Sequence, residues 1–391
     1  MGSAHVTWRE RSRLVRAVRL WRTRNPRTFR DKVRYKMLRD HRDLVVTFAD
    51  KAAVRDYVAT SVGRQYLPIA YAIVDEPTDL YHAVLPDTFV VKPTHGSGAV
   101  IVVSEHAPAE ARLPDDPGDW SYRYVRPRYV GRHDIVRIAQ GWVAQLYGQG
   151  PNREWVYGQV PRRVLVEELL TDADGEIPDD YKFFVFHGKC AYVQLDVGRF
   201  GRRTQDFFRP DWEHLPLRGG PPWADPRPEP PPQLAEMIAV AQRLGADTDF
   251  VRVDLYCVGD RVVFGELTSF PAGGDSPFDP EYFNHEFGSH WTVPRRYRER
   301  RLETPSPGHS LLMTDKTPPP GPTDQGRTGG MATREVAPDV VEKHRRESPV
   351  PEDATEVTDE QRREQQQLDH QDDDPDAPGA HQDRHQLADE T

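Results

Sequence analysis

Three apolar segments that double back through short polar turns decide what this chain can fold into. Phe89-Val90-Val91-Lys92 leads through Pro93-Thr94-His95-Gly96-Ser97-Gly98 into Ala99-Val100-Ile101-Val102-Val103. Asp180–Phe186 and Cys190–Asp196 flank a His187-Gly188-Lys189 turn, and Phe250–Tyr256 and Arg261–Thr268 flank Gly259-Asp260. Runs of β-branched and aromatic residues on either side of a glycine-bearing turn read as antiparallel hairpins. Arg163–Leu170 adds a buried strand that ends in carboxylates. Leu234, Met237, Ile238, Ala241 and Leu244 recur on one helical face, and Asp50–Val58 reads as another helix with Asp50 as its N-cap. Eight prolines between Pro216 and Pro232 require a surface loop. Antiparallel sheet with helices packed on it is an α+β body.

That body does not extend through all 391 residues. All 38 aromatic residues precede Glu303, and from Glu303 onward 21 Asp/Glu face 9 Lys/Arg, a net charge of −12. A segment so charged, without aromatic residues, cannot offset its ordering entropy, so residues 299–391 are expected to be a disordered acidic tail. The opposite bias marks the start. Residues 8–42 carry 14 Lys/Arg against 3 Asp/Glu, with Trp8, Leu14, Val15, Val18 and Trp21 near helical spacing. This predicts a basic helical segment over residues 1–43, either docked on the body or anchoring a polyanion or an anionic membrane surface. No DNA-reading motif accompanies the charge, which argues against specific nucleic-acid recognition. Two cysteines, Cys190 and Cys257, rule out a disulfide framework and a four-cysteine zinc site, and both read as small buried hydrophobes. No apolar run approaches the ~18 residues of a membrane span, and no secretory signal opens the chain. A cytoplasmic location is the expectation.

The last hairpin carries the strongest geometric argument. A turn at Gly259-Asp260 sets Asp254 opposite Glu266 within one step of register, with Arg252 sharing the face of Asp254, and Thr268 that of Glu266. Opposed carboxylates either face solvent, screened, or want a cation between them, and an oxygen-only donor set suits Mg²⁺. Arg252 beside them could hold a phosphate or a carboxylate. Lys92 ends an apolar strand just before a small-residue loop, which reads as an ordinary hairpin turn or as a phosphate cradle. His95 within that loop is a candidate substrate or phosphate contact, whereas His187 reads as a solvent-exposed turn residue. Glu167-Glu168-Leu169-Leu170 is either a plain strand end or a hinge for adenine, with Asp180 near the ribose.

Taken in order, these stretches resemble the ATP-grasp superfamily, most closely its TupA-like branch linked to teichuronopeptide synthesis. The resemblance rests on Ala49-Asp50-Lys51 with Val54–Val58, Leu85–Lys92 through Gly98, Glu167–Leu170, Asp180–Phe184, Val251–Tyr256 and Phe264–Thr268, and covers about residues 30–290. It implies two α+β lobes with antiparallel sheets clamping ATP, one over residues 44–160 with the glycine-rich loop and one over 161–298 with the metal site. By the same likeness Lys51 and Lys92 would hold the α- and β-phosphates, and a mobile Gly96-Ser97-Gly98 loop would close over the triphosphate. Glu167, Glu168 and Leu169 would form the adenine hinge, while Asp180 would meet the ribose with Lys182 also at the nucleotide. Asp254 and Glu266 would bind Mg²⁺, and Arg252 would stabilise the transferring phosphoryl group. Two departures stand out. Thr268 occupies a position where many such ligases have a metal-binding Asn, and only 50 residues precede Lys51, where an α/β domain usually sits.

The reaction this implies joins a carboxylate to an amine through an acyl phosphate, using ATP and Mg²⁺. Cell-surface polysaccharide or teichuronopeptide synthesis and natural-product peptide synthesis are the expected settings. An anionic polysaccharide is a candidate partner, concentrated by the basic N-terminus. A phosphotransferase acting on a hydroxyl is the alternative reading, and a non-catalytic nucleotide-binding scaffold a second.

Overall fold

The computed structural model describes residues 23–147, 154–172, 175–198 and 203–298, all within one compact unit. The basic stretch before residue 23 and the expected acidic tail lie outside the described residues.

The first sheet contains β1 (Ala70–Val74), β2 (Phe89–Pro93), β3 (Val100–Val103), β4 (Tyr122–Val125) and β5 (Val164–Glu167) in the order β1-β5-β2-β3-β4. Only the β3–β4 pair is parallel. The expected hairpin forms, with Val90 opposite Val102 and Val91 opposite Ile101. Val91, Ile101 and Val103 pack on Ile135, Ile138 and Trp142 of a helix spanning Arg132–Ala144. Their neighbours Val90, Val100 and Val102 form a separate apolar cluster on the opposite face. Strands covered on both faces are apolar at every position, which is why these runs do not alternate.

The second sheet orders β6 (Asp180–Phe186), β7 (Lys189–Val197), β8 (Thr204–Phe208), β9 (His214–Leu215), β10 (Phe250–Val258) and β11 (Arg261–Thr268) as β11-β10-β6-β7-β8-β9, antiparallel throughout. The other helices are α1 (Phe29–Arg39), α2 (Asp43–Ala49), α3 (Val54–Ser61), α5 (Leu234–Leu244) and α6 (Tyr282–Ser289), the Arg132–Ala144 helix being α4. One face of this sheet, with Phe183, Val185, Val251 and Val253, meets α5 together with Phe48, Val54 and Val58. On the other face Phe184, Phe186 and Phe250 meet α1 and α6.

Three expectations need correction. The boundary at 160/161 falls before β5, yet β5 pairs with β1 and β2, so the chain changes sheet between Glu167 and Asp180. Phe48 of α2 and Val54 and Val58 of α3, assigned to the first lobe, pack on the second sheet. Asp50 does not cap α3, whose N-cap is Ala53; its carboxylate accepts from Ala52 N at 2.8 Å and from Arg163 at 2.7 Å. The described part of the basic N-terminal segment is docked. Phe29 is fully buried, its ring centroid 5.2–6.2 Å from those of Phe184, Phe186, Phe250, Phe278, Phe287 and Trp291. Lys36, also fully buried, is paired with Asp40 and Asp249 at 2.6 Å each. No helix among the described residues is long and apolar enough to cross a membrane.

Candidate active site

Along β6 and β10 the face that begins aromatic turns charged. Phe186 and Phe250 are opposite each other, Phe184 opposes Arg252, and Lys182 opposes Asp254. Beyond β10, Asp254 is opposite Glu266 and Arg252 opposite Thr268, the expected register, with a bulge between Asp254 and Leu255. Gly265 stands beside that bulge. A Cβ there would approach Asp254 O and Tyr256 Cε2 to 3.0 Å.

The cation between the two carboxylates is Arg252 itself. Its Nε and Nη2 donate to the two oxygens of Asp254 at 2.8 Å each, and Nη2 also donates to Glu266 Oε1 and Thr268 Oγ1 at 3.1 Å. Lys182 adds contacts to Asp180 at 2.6 Å, Asp254 at 3.3 Å and Asp196 at 3.5 Å. Burial opposes the charge on Lys182, but Asp180 and Asp254 outweigh it and raise its pKa. Burial lifts the Asp254 carboxyl to about 6 despite Arg252 and Lys182, with Asp180 and Glu266 adding repulsion. Asp180, Asp196, Asp254 and Glu266 thus meet Lys182, Arg252 and Arg203, the last 3.5 Å from Asp196. Glu266 stands at the partly exposed edge of this layer.

A cleft runs from this edge in three adjoining spaces. The first is a recess walled by Val90, Val102, Tyr122, Leu169, Ile177 and Phe264. Lys92 and Glu167 border both this recess and a middle space reached by Lys51, Arg55, Glu266 and Thr268. Glu266 and Thr268 in turn border a third space with Ser97, Tyr147, Glu154 and Tyr157. Lys92 Nζ lies 2.6 Å from Glu167 Oε1, while Arg55 reaches Glu167 at 3.3 Å. Burial works against the charge on Lys92, but the adjacent Glu167 outweighs it and raises the pKa. Lys51 behaves oppositely: burial lowers it to about 8, with Glu266 only partly offsetting this.

Of the sequence-derived candidates, Lys51, Lys92, Ser97, Glu167, Glu168, Leu169 and Glu266 line the cleft. Arg252 and Asp254 are buried and reach it through Glu266 and Thr268. Asp180 and Lys182 are buried, paired with each other, and do not line it, contrary to the ribose placement. At the hinge, the Glu168 N–H already donates to Ile69 O at 2.8 Å and its carboxylate is held by Arg261 at 3.0 Å, so Leu169 contributes wall and Glu168 is engaged elsewhere.

The glycine loop also differs from expectation. It is tied down: the Lys51 ammonium donates to Gly96 O, and Trp120 Nε1 donates to Ser97 O at 2.6 Å. His95 points inward, its Nε2 3.2 Å from Trp142 O, and burial lowers its pKa to about 4, so it is no phosphate contact here. Gly96 and Gly98 lie within the loop without lining the cleft; a Cβ on Gly96 would meet Trp120 at 2.4 Å and Tyr147 at 2.8 Å. His187 is exposed at a turn with φ 49°, as expected. Cys190 and Cys257 are free thiols, half-buried, and burial raises both, Cys190 to about 12. Arg55, Trp120, Tyr147 and Tyr157 were not foreseen. The uninterrupted valine runs of β2 and β3 were the available signal for the recess, since a strand apolar on both faces must have something on each.

Residues 132–292 match the family described as TupA-like ATPgrasp. The match covers 161 of the 391 residues. The ATP-grasp match contains Glu167–Leu169, Arg252, Asp254 and Glu266, whereas Lys51, Lys92 and the glycine loop precede it. The solved structures similar to the chain include the ATP-grasp ligase PsnB complexed with minimal precursor (13% identity, 67% of this chain and 62% of that one, TM-score 0.30). Others are a D-alanine–D-alanine ligase from Bacillus anthracis complexed with ATP (12%, 63% and 66%, 0.34) and an L-amino acid ligase from Bacillus licheniformis (12%, 59% and 45%, 0.34). The chain spans less than two thirds of the length of each of these. No protein of curated function gave a match.

Proposed function

We propose that this ATP-grasp protein is an ATP-dependent ligase that joins a carboxylate to an amine. The observation that carries the reading is the order of the cleft: an apolar recess, then Lys92 and Lys51, then the Arg252–Asp254–Glu266 edge, then a further space. A nucleoside triphosphate has that sequence of chemistries. Its base would lie between Val90 and Val102 on one side and Leu169 and Phe264 on the other, and its phosphates would face Lys92 and Lys51. Binding would require Lys92 to exchange Glu167 for a phosphate oxygen, with Arg55 remaining on Glu167.

A Mg²⁺ ion needs only one or two carboxylates alongside phosphate oxygens, and Glu266 offers one where the cleft meets Lys51 and Lys92. Glu266, at the edge of the cleft, would meet the ion, and Asp254, whose two oxygens both accept from Arg252, would join it only by giving up one of those contacts; the ion would supply neutralisation of phosphate charge. Arg252 keeps Asp254 and Glu266 in register and places fixed positive charge below the reacting phosphoryl group. In the first step a carboxylate oxygen of the acid bonds to the γ-phosphorus as the bond to ADP breaks. In the second the amine attacks the acyl carbon, phosphate leaves, and the amine proton is released. Acids of a cell-surface polysaccharide or a peptide remain the proposed substrate class.

The test is thermal stability with and without Mg·ATP, on the wild type and on Lys92→Ala and Glu266→Gln. A ligand at 100 times its Kd stabilises by about 2.7 kcal/mol, and both variants are expected to lose the shift. No shift in folded wild type would overturn the nucleotide assignment. Phosphate release that requires both an acid and an amine identifies a ligase; phosphate retained on a hydroxyl product identifies a phosphotransferase.

A further inference from the structure

The space beyond Glu266 differs in character from the nucleotide part of the cleft. Glu154 and Glu266 are among its lining residues, and none of the described lining residues is Lys, Arg or His. By contrast the adjoining middle space is lined by Lys51, Arg55 and Lys92. Tyr147 and Tyr157 supply aromatic wall, set edge to face with ring centroids 4.9 Å apart. Tyr147 is itself fixed by stacking on Trp120 at 5.2 Å. At the base of the space is Ser269, 7% exposed, whose Oγ makes no hydrogen bond among the described residues. A buried hydroxyl without a partner is costly, so Ser269 Oγ is available to a polar ligand atom that enters the space.

Carboxylates, aromatic faces and an unpaired hydroxyl together fit a cation with N–H donors. An ammonium donates to carboxylate and hydroxyl oxygens and is attracted to aromatic faces, whereas a carboxylate would meet like charge at Glu154, Glu266 being already paired with Arg252. We infer that this space is the amine subsite, binding the second substrate as a primary ammonium on an uncharged body, with Glu154 and Ser269 as its recognition residues. The inference rests on the ligase reading and divides the two substrates between regions: the amine enters on the Glu154 side, and the acid does not share that pocket. Free α-amino acids, whose own carboxylate would face Glu154, are disfavoured against amines, amides and peptide N-termini.

The experiment is equilibrium binding on the full chain at pH 7, comparing phenethylamine with phenylacetate, each with and without ADP and Mg²⁺. The ammonium is expected to bind at least tenfold tighter than the carboxylate. Glu154→Gln should weaken phenethylamine about tenfold and Ser269→Ala a few-fold, with ADP affinity unchanged in both. Phenylacetate binding equal to or tighter than phenethylamine overturns the inference, as does a folded Glu154→Gln variant with unchanged amine affinity. If Glu154→Gln does not fold, the wild-type comparison of the two probes decides. ADP binding without ammonium binding defeats this inference alone. Ammonium binding without ADP binding defeats the ligase reading on which it rests.

Discussion

Lys51 offers the sharpest quantitative test. Burial holds its ammonium at about 8, roughly two units below an ordinary lysine. An anionic phosphate beside it favours the protonated form, so the bound state has the higher pKa and binding takes up a proton wherever free Lys51 is neutral. The sign follows: affinity for the triphosphate is level below about pH 8 and falls as pH rises above it, approaching tenfold per unit until the bound-state pKa is reached. An unperturbed lysine would give no such fall before pH 10. At pH 7 a charge-assisted contact is worth about 1.5–3 kcal/mol, so Lys51→Met should bind roughly 10- to 100-fold more weakly. The variant has no ammonium to titrate, so the wild-type and Lys51→Met curves should draw together above pH 8, a tenfold gap all but closing and a hundredfold gap narrowing to about fourfold by pH 9.5. The assay is calorimetric titration of a non-hydrolysable ATP analogue with Mg²⁺ from pH 7 to 9.5 at constant ionic strength. Affinity in the wild type that stays level to pH 9.5, or the same decline in Lys51→Met, would refute the reasoning.

Other outcomes follow from packing. Phe29→Ala removes a fully buried ring among six aromatic neighbours and is expected to cost about 3–5 kcal/mol in urea unfolding; a loss under about 1 kcal/mol would mean that α1 is not part of the core. Gly96→Ala drives a methyl into Trp120 and Tyr147 and should destabilise by about 1–3 kcal/mol, with a change in the near-ultraviolet dichroism of those rings. Val102→Phe, on a wall of the recess, should lower ATP-analogue affinity about tenfold or more while the melting temperature shows the fold retained. Unchanged affinity in that variant would remove the base from the recess.

The hairpins were legible because runs of β-branched and aromatic residues and the glycine-bearing turns between them are local properties, and so was the opposition of Asp254 and Glu266, which follows from counting residues across Gly259-Asp260. What lies between those carboxylates was not legible. The argument that they need a cation was sound, but Arg252, two residues from Asp254 on the same face, satisfies it within the chain. The tethering of the glycine loop was equally hidden, since Trp120 and Tyr147 approach it from distant parts of the sequence and nothing near Gly96 announces them. Basic charge left α1 open between docking and anchoring, because the burial of Phe29 depends on rings far away in sequence, Phe184 and Trp291 among them. The insertion of β5 between β1 and β2 is a property of strand order, which local patterns do not encode.

The meeting of Phe29 with Trp291 has a consequence for synthesis. These rings come from opposite ends of the described body, so the aromatic layer between α1 and α6 stays open until almost the whole body has left the ribosome. During translation the first helix must wait beside a growing sheet, presenting an apolar face to whatever holds nascent chains. A premature stop before α6 would therefore expose the inner side of a sheet already made, and such fragments should be recovered with chaperones and not as soluble pieces.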